Sequence, residues 1–276
     1  MRIYNINKSD NTLLFKEGSA MRDKICGLDI NYIDKGQGEL VVLLHGWGSN
    51  ITLFESMINL LSLKYRVVAM DMPGFGESEE PKEPWDVDKY VDFVLEFLKK
   101  YDFEKVTLLG HSFGGRVIIK LCSRENPFEI EKVILVDSAG VKPEKTASQK
   151  MKQKVYKTTR KVYSSPLVSK LFPDALENLR KRNGSADYNA ASPIMRQTLV
   201  KVVNEDLCDL MPNVKCPTLL IWGKNDDATP LSDGEKMEKL MPESALVSFD
   251  NAGHYSFLEQ QALFNRVLAS FMNIEI

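Results

Sequence analysis

The stretch Leu108-Leu109-Gly110-His111-Ser112-Phe113-Gly114-Gly115 sets one serine among glycines at the junction of two apolar segments. Before it, Lys105-Val106-Thr107-Leu108-Leu109 is a short apolar run that predicts a buried strand. After it, Arg116-Val117-Ile118-Ile119-Lys120-Leu121 predicts a helix with one apolar face. Gly110-His111-Ser112-Phe113-Gly114 is therefore a G-x-S-x-G pattern in strand–turn–helix context, the setting of a nucleophile elbow. A serine on so tight a turn has its hydroxyl pushed out at the end of the sheet. Glycines flank it because a side chain there would collide with the neighbouring strand or helix.

Outward from this turn, strand and helix alternate from about Lys24 onward. Leu28-Asp29-Ile30-Asn31-Tyr32-Ile33-Asp34 alternates apolar and polar residues, as an edge antiparallel strand does, and Gly36-Gln37-Gly38 makes a turn. Leu40-Val41-Val42-Leu43-Leu44 is continuously apolar, which predicts a strand buried on both faces. Tyr65-Arg66-Val67-Val68-Ala69-Met70, Val133-Ile134-Leu135-Val136, Thr218-Leu219-Leu220-Ile221-Trp222 and Ala245-Leu246-Val247-Ser248-Phe249 repeat that signature. Helices are expected at 87–101, where Val87, Tyr90, Val91, Val94, Leu95 and Leu98 fall at helical spacing, and at 257–272. The alternation predicts an α/β fold with a mostly parallel central sheet and helices on both faces. It breaks at 141–213, which holds helical patterns, no strand and a basic bias. Residues 24–140 and 214–276 therefore read as the core, 141–213 as a helical cap insertion over the site, and 1–23 as a disordered N-terminal extension.

The chain has 276 residues and a net charge of −2, which gives no global pull toward nucleic acid or a membrane. No apolar run is long enough to span a bilayer, so no transmembrane segment is expected. The first twenty residues lack the apolar core of a secretory signal, and Met21 is an alternative start. Cys26, Cys122, Cys208 and Cys216 are scattered with no C-x-x-C pair, the usage of reduced thiols in a cytoplasmic protein. With only His45, His111 and His254 among the histidines, no metal cluster is visible, and neither metal nor cofactor is expected.

A serine hydroxyl needs a base, and histidine titrates in the working range. His254, in the loop Asn251-Ala252-Gly253-His254-Tyr255 after the last strand, is the candidate. His45 opens a loop where backbone packing is the expected job, and His111 adjoins the serine on a turn whose neighbours point apart. A carboxylate should orient the imidazole. Asp226, just past the strand 218–222, is the candidate, with Asp227 its close rival. A tetrahedral intermediate needs two oxyanion donors. The backbone N–H groups of Phe113 and of Trp47, in His45-Gly46-Trp47-Gly48, are the candidates. The Trp47 indole either lines an acyl pocket or packs.

The chain at this point resembles the cap-bearing branch of the α/β-hydrolase superfamily, from about Lys24 to the C-terminus. The residues that carry the resemblance are His45-Gly46-Trp47-Gly48, Asp71-Met72-Pro73-Gly74-Phe75-Gly76-Glu77-Ser78, Gly110 to Gly115, Gly223 to Pro230 and Gly253-His254. The order Ser112, Asp226, His254 is also that of α/β-hydrolases. The branch includes carboxylesterases, lactonases, carbon–carbon bond hydrolases, acylglycerol lipases, cofactor-free haloperoxidases and hormone receptors. Look-alike dehalogenases and epoxide hydrolases use an Asp nucleophile, against which Ser112 argues. Carbon–carbon hydrolases often carry Asn before the nucleophile and Trp after the histidine, where this chain has His111 and Tyr255.

The resemblance implies a serine hydrolase that cleaves a small carboxylic ester or related acyl substrate through an acyl-enzyme on Ser112. The alternatives are a carbon–carbon bond hydrolase of a diketone and a slow or non-catalytic ligand-binding member. Trp47, Tyr163, Leu167, Phe172 and Tyr255 are the expected pocket residues, with Val168 and Leu171 on the same underside of the cap. The basic residues of the insertion (Lys142, Lys145, Lys150, Lys152, Lys154, Lys157, Arg160, Lys161, Lys170, Arg180, Lys181 and Arg182) suggest an anionic acyl substrate or peripheral contact with an anionic lipid surface. The ordinary alternative is a solvated helix face.

Overall fold

The computed structural model describes residues 20–142, 147–172, 174–175, 178–179 and 185–276. Eight strands form one sheet: β1 (Met21–Ile25), β2 (Leu28–Lys35), β3 (Leu40–Leu44), β4 (Arg66–Met70), β5 (Lys105–His111), β6 (Glu129–Val136), β7 (Thr218–Gly223) and β8 (Ser244–Phe249). Their order is β1-β2-β4-β3-β5-β6-β7-β8. Pairings β1–β2 and β2–β4 are antiparallel and the rest are parallel. The strand at 28–34 was expected at the edge, but β1 takes that place. Met21-Arg22-Asp23-Lys24 are all exposed, so β1 shows no buried period. The core accordingly begins at Met21 rather than Lys24, and residues 1–19 of the expected extension lie outside the described residues.

Side-chain alternation in the strands sorts the core into two layers. In β3, Leu40, Val42 and Leu44 face one layer while Val41 and Leu43 face the other. Val133 and Leu135 of β6 divide from Ile134 and Val136 in the same way. Helices α2 (Val87–Leu98) and α3 (Phe113–Cys122) cover the first face. Helix α1 (Glu55–Leu61) and the C-terminal helix cover the second. The side chain of Asp86 accepts from the Lys89 N–H and starts α2.

The insertion carries α4 (Ala147–Tyr163), α5 (Pro166–Leu171), α6 (Ala186–Ala190) and α7 (Pro193–Asn204). Ser192 caps α7 through the Met195 N–H. This helix ties the insertion to the core. The Ser192 hydroxyl donates to Glu80 at 2.7 Å, the Trp85 N–H donates to Thr198 at 3.0 Å, and Lys201 Nζ donates to the Pro84 carbonyl at 2.7 Å. Lys152, Lys154, Lys157, Arg160, Lys161 and Lys170 are exposed. Lys145, Arg180, Lys181 and Arg182 lie outside the described residues, as do the side chains of Lys150 and Leu167.

Past the insertion come α8 (Leu231–Leu240), α9 (Ser256–Glu259) and α10 (Gln261–Phe271). The single helix expected at 257–272 is two, because Gln260 at φ −126°, ψ 45° is not helical. Among the described residues no helix is long and apolar enough to cross a membrane.

The motif at residues 71–78 ties loops together. Asp71 is buried, and its carboxylate accepts from the Ile51 N–H at 2.8 Å, the Glu77 N–H at 2.9 Å and Asn31 Nδ2 at 2.9 Å. His45, also buried, accepts from the Met72 N–H on Nε2 at 2.9 Å and donates from Nδ1 to the Gly46 carbonyl at 2.7 Å. Register completes the placement. Leu44 pairs with Gly110, and His111 with Val136, so the loops after β3, β5 and β6 leave the sheet side by side.

At the start of α3 the helix meets β3 so closely that a Cβ on Gly114 would lie 2.0 Å from the Leu44 carbonyl oxygen. That obstacle is backbone and cannot rotate away. Gly114→Ala is expected to lower stability by about 2–3 kcal/mol, read as a shift of the urea midpoint at unchanged slope.

Candidate active site

Ser112 sits between β5 and α3 at φ 50°, ψ −110°. A non-glycine residue in that region costs about 1–3 kcal/mol and persists only where its surroundings hold it. Here its N–H donates to the Val136 carbonyl at 3.0 Å, and its own carbonyl accepts from the Ala139 N–H at 3.0 Å. Burying one large apolar side chain returns about 1.5–3 kcal/mol, so the fully buried neighbours Leu109 and Val136 cover the strain.

The turn aims the hydroxyl at His254. Ser112 Oγ lies 2.9 Å from His254 Nε2, and His254 Nδ1 lies 2.8 Å from Asp226 Oδ2. The two rival carboxylates separate here. Asp226 is buried in the loop after β7, whereas Asp227 is exposed. Asp226 Oδ1 accepts from the N–H groups of Ala228 at 2.8 Å and Thr229 at 3.0 Å, and the Thr229 hydroxyl donates to Oδ2 at 2.7 Å.

These partners set the charges. Burial alone would raise the Asp226 pKa, but the hydrogen bond and charge of His254, with the Thr229 donors, hold it below the usual carboxylate value. Burial pulls His254 down, and the Asp226 hydrogen bond and charge, joined by Asp137 and Asp227, carry it above the ordinary 6.5. The same loops that bring serine, histidine and aspartate together hold the imidazole against a buried carboxylate. A hydroxyl that can lose its proton to a held imidazole is equipped for nucleophilic attack.

A family model described as the alpha/beta hydrolase fold matches residues 39–261. The chain belongs to the alpha/beta hydrolase fold family. Among curated proteins it is 27% identical over 257 residues to the AB hydrolase superfamily protein YisY of Bacillus subtilis, covering 87% of this chain and 94% of that one. It is 28% identical to the 2-hydroxy-6-oxo-2,4-heptadienoate hydrolase of Pseudomonas putida, over 90% of this chain and 94% of that one. Among solved structures, the esterase EaEST from Exiguobacterium antarcticum aligns with a TM-score of 0.72 and 27% identity, over 92% of this chain and 99% of that one. The meta-cleavage product hydrolase CumD from Pseudomonas fluorescens aligns with a TM-score of 0.69 and 25% identity, over 92% and 97%.

In this alpha/beta hydrolase the remaining expected residues distribute unevenly. Gly46 lies against the elbow, since a Cβ on it would stand 3.3 Å from Ser112 Cβ and 2.7 Å from His111 Nδ1. The Gly46-Trp47 peptide therefore adjoins the serine. The Trp47 ring packs edge-on against Phe75 and Phe113, with centroids 4.8 and 5.6 Å away. Tyr255 is half-buried beside His254, ring centroids 5.6 Å apart. Tyr163 is half-buried on α4, and Phe172, expected beneath the cap, is 61% exposed just past α5. Among the described residues no group of three or more His, Cys, Asp or Glu could hold a metal ion.

Two residues near the serine gain roles that sequence reasoning missed. His111 is buried, with Nε2 donating to the His254 carbonyl at 2.7 Å. Burial and the His254 charge push its pKa down to about 3, so it stays neutral. Asp137, at the end of β6, is fully buried with φ 45°. Its Oδ1 accepts from the Gly223 N–H at 2.8 Å and its Oδ2 from the Ser256 N–H at 3.0 Å. One carboxylate thus ties the strand that leads to Asp226 to the helix that follows His254. Burial raises its pKa to about 6 against the Ser256 and Gly223 donors. The signal was available, because Asp137 is a carboxylate at the carboxyl end of a predicted strand, as is Asp226.

A base must be neutral to accept a proton, so if His254 serves as the base its raised pKa is expected to put the acid limb of kcat/KM for hydrolysis above pH 6.5. Asp226→Asn removes the largest charge that raises it. That limb is expected to move to lower pH and kcat to fall by about 10³–10⁴-fold. Asp137→Asn, which removes a weaker charge and places an amide against the Ser256 N–H, is expected to shift the limb in the same direction by less. A pH–rate profile of the three proteins checks both.

Proposed function

We propose that this alpha/beta hydrolase cleaves a small carboxylic ester or related acyl substrate through an acyl-enzyme on Ser112. The observation that carries the reading is the run of hydrogen bonds from Ser112 Oγ to His254 Nε2 at 2.9 Å and from His254 Nδ1 to Asp226 Oδ2 at 2.8 Å. His254 takes the serine proton as Oγ attacks the acyl carbon, and Asp226 stabilises the imidazolium. His254 then returns the proton to the leaving alcohol. Water activated by His254 releases the acid and restores the serine. The N–H groups of Phe113 and Trp47 hold the oxyanion: the first opens α3, where helix donors lack internal partners, and the second follows the glycine that adjoins Ser112.

A second reading, hydrolysis of a carbon–carbon bond in a diketone, draws support from the Pseudomonas putida relative named for a heptadienoate. Such a substrate is an anion. Asp187, on α6 of the cap, acts electrostatically on both His254 and Tyr255. A negative charge beside the base favours a neutral ester over an anionic dienoate.

Turnover of a p-nitrophenyl ester series from acetate to long chains tests the reading. Ser112→Ala is expected to cut kcat by about 10⁴-fold or more, and a fluorophosphonate is expected to label Ser112 alone. Turnover that survives this substitution refutes the acyl-enzyme. A folded protein that ignores every ester but cleaves a 2-hydroxy-6-oxo-dienoate favours the second reading.

A further inference from the structure

Cys122 and Cys216 are far apart in the chain and far from the candidate active site, yet they share one cleft. Cys122 is the last residue of α3, and ten helical residues at 1.5 Å each put it about 15 Å from the serine turn. Cys216 sits two residues before β7. Both line an open cleft of about 430 Å³, together with Arg124, Asn126 and Lys215. Each thiol is the strongest influence on the other, so the two side chains lie within reach of one another. Both are half-buried, and neither is in a disulfide.

The pair is asymmetric. The neighbouring Cys122 thiol holds the Cys216 thiol below the ordinary cysteine range, with burial opposing and Thr218 adding to the effect. The Cys216 sulfur, with burial, drives the Cys122 thiol well above that range. Cys216 is therefore the better nucleophile toward an oxidant, and Cys122 is a protonated partner already in contact.

We propose that Cys122 and Cys216 form a dithiol site that hydrogen peroxide converts to an intramolecular disulfide. The Cys216 thiolate attacks one peroxide oxygen, the O–O bond breaks, and a sulfenic acid forms with release of hydroxide, which takes up a proton as water. Cys122 loses its proton and attacks the Cys216 sulfur. The S–S bond forms, the S–O bond breaks, and a second water leaves. Two thiols are oxidised by two electrons in all, and one peroxide is reduced to two waters. The bond fastens the end of α3 to the stretch of chain that returns from the insertion to β7, so the whole segment between them becomes a covalently closed loop. This chemistry is independent of the ester reading.

The reduced full-length protein is treated with near-stoichiometric hydrogen peroxide, and thiols are counted before and after. The expected result is a fall from four titratable thiols to two. Peptide mapping should show Cys122 linked to Cys216 in a monomer, reversed by dithiothreitol. In Cys122→Ala the reaction should stop at a Cys216 sulfenic acid that dimedone traps, and in Cys216→Ala Cys122 should stay reduced. Phenylarsine oxide, which bridges paired thiols, should bind the parent and neither variant. Four thiols after treatment, over-oxidised Cys216 without a cross-link, or linkage through Cys26 or Cys208 would each overturn the proposal.

Discussion

Backbone contact at the start of α3 governs what the rest of the molecule can do. Gly114 presses on the Leu44 carbonyl, and Gly110 has no room for a Cβ against the Gly114–Gly115 backbone. Those two approaches frame the turn at Ser112, where φ is 50°, and the turn sets the direction of its hydroxyl. A larger residue at either glycine would push the helix from the sheet, and the serine would swing with it. The strain at Ser112 and the tight packing beneath it are one constraint seen from two sides.

Three buried carboxylates finish the carboxyl edge of the sheet. Asp71, Asp137 and Asp226 each accept from two backbone N–H groups of loops that cross there. Buried loop backbone must satisfy its donors, and an ionised oxygen does so with shorter, stronger bonds than a neutral one. Each acid therefore fixes the geometry of a crossing, and of the three Asp226 also hydrogen-bonds an imidazole. The arrangement explains why a loop-rich edge can hold three side chains within hydrogen-bond tolerance.

Legibility in the sequence follows burial. β3 was plain because Leu40-Val41-Val42-Leu43-Leu44 is covered on both faces. β1 was invisible because four of its five residues face solvent and leave no period to read. The break at Gln260 was missed because one non-helical residue does not disturb an apolar repeat. Ser112, His254 and Asp226 could be named because their motifs and strand-end positions are local. The choice between Asp226 and Asp227 could not be closed, since it rests on which of two adjacent carboxylates turns inward to the Thr229 donors. Asp137 stood at a predicted strand end like Asp226, but its partners, the Gly223 and Ser256 N–H groups, are brought together only by the fold. The cap was hardest. Its apolar residues have no sheet to report to, and Phe172, expected on the underside of the cap, turns outward.

The insertion leaves the sheet after β6 and returns for β7, its immediate neighbour. Among the described residues none of the insertion takes part in strand pairing. That segment can lengthen, shorten or change character while Ser112, Asp226 and His254 keep their registry, provided the face of α7 that carries Thr198 and Met195 survives. The order of the sheet, and with it the placement of Ser112, Asp226 and His254, is thus independent of the length of chain spent between β6 and β7.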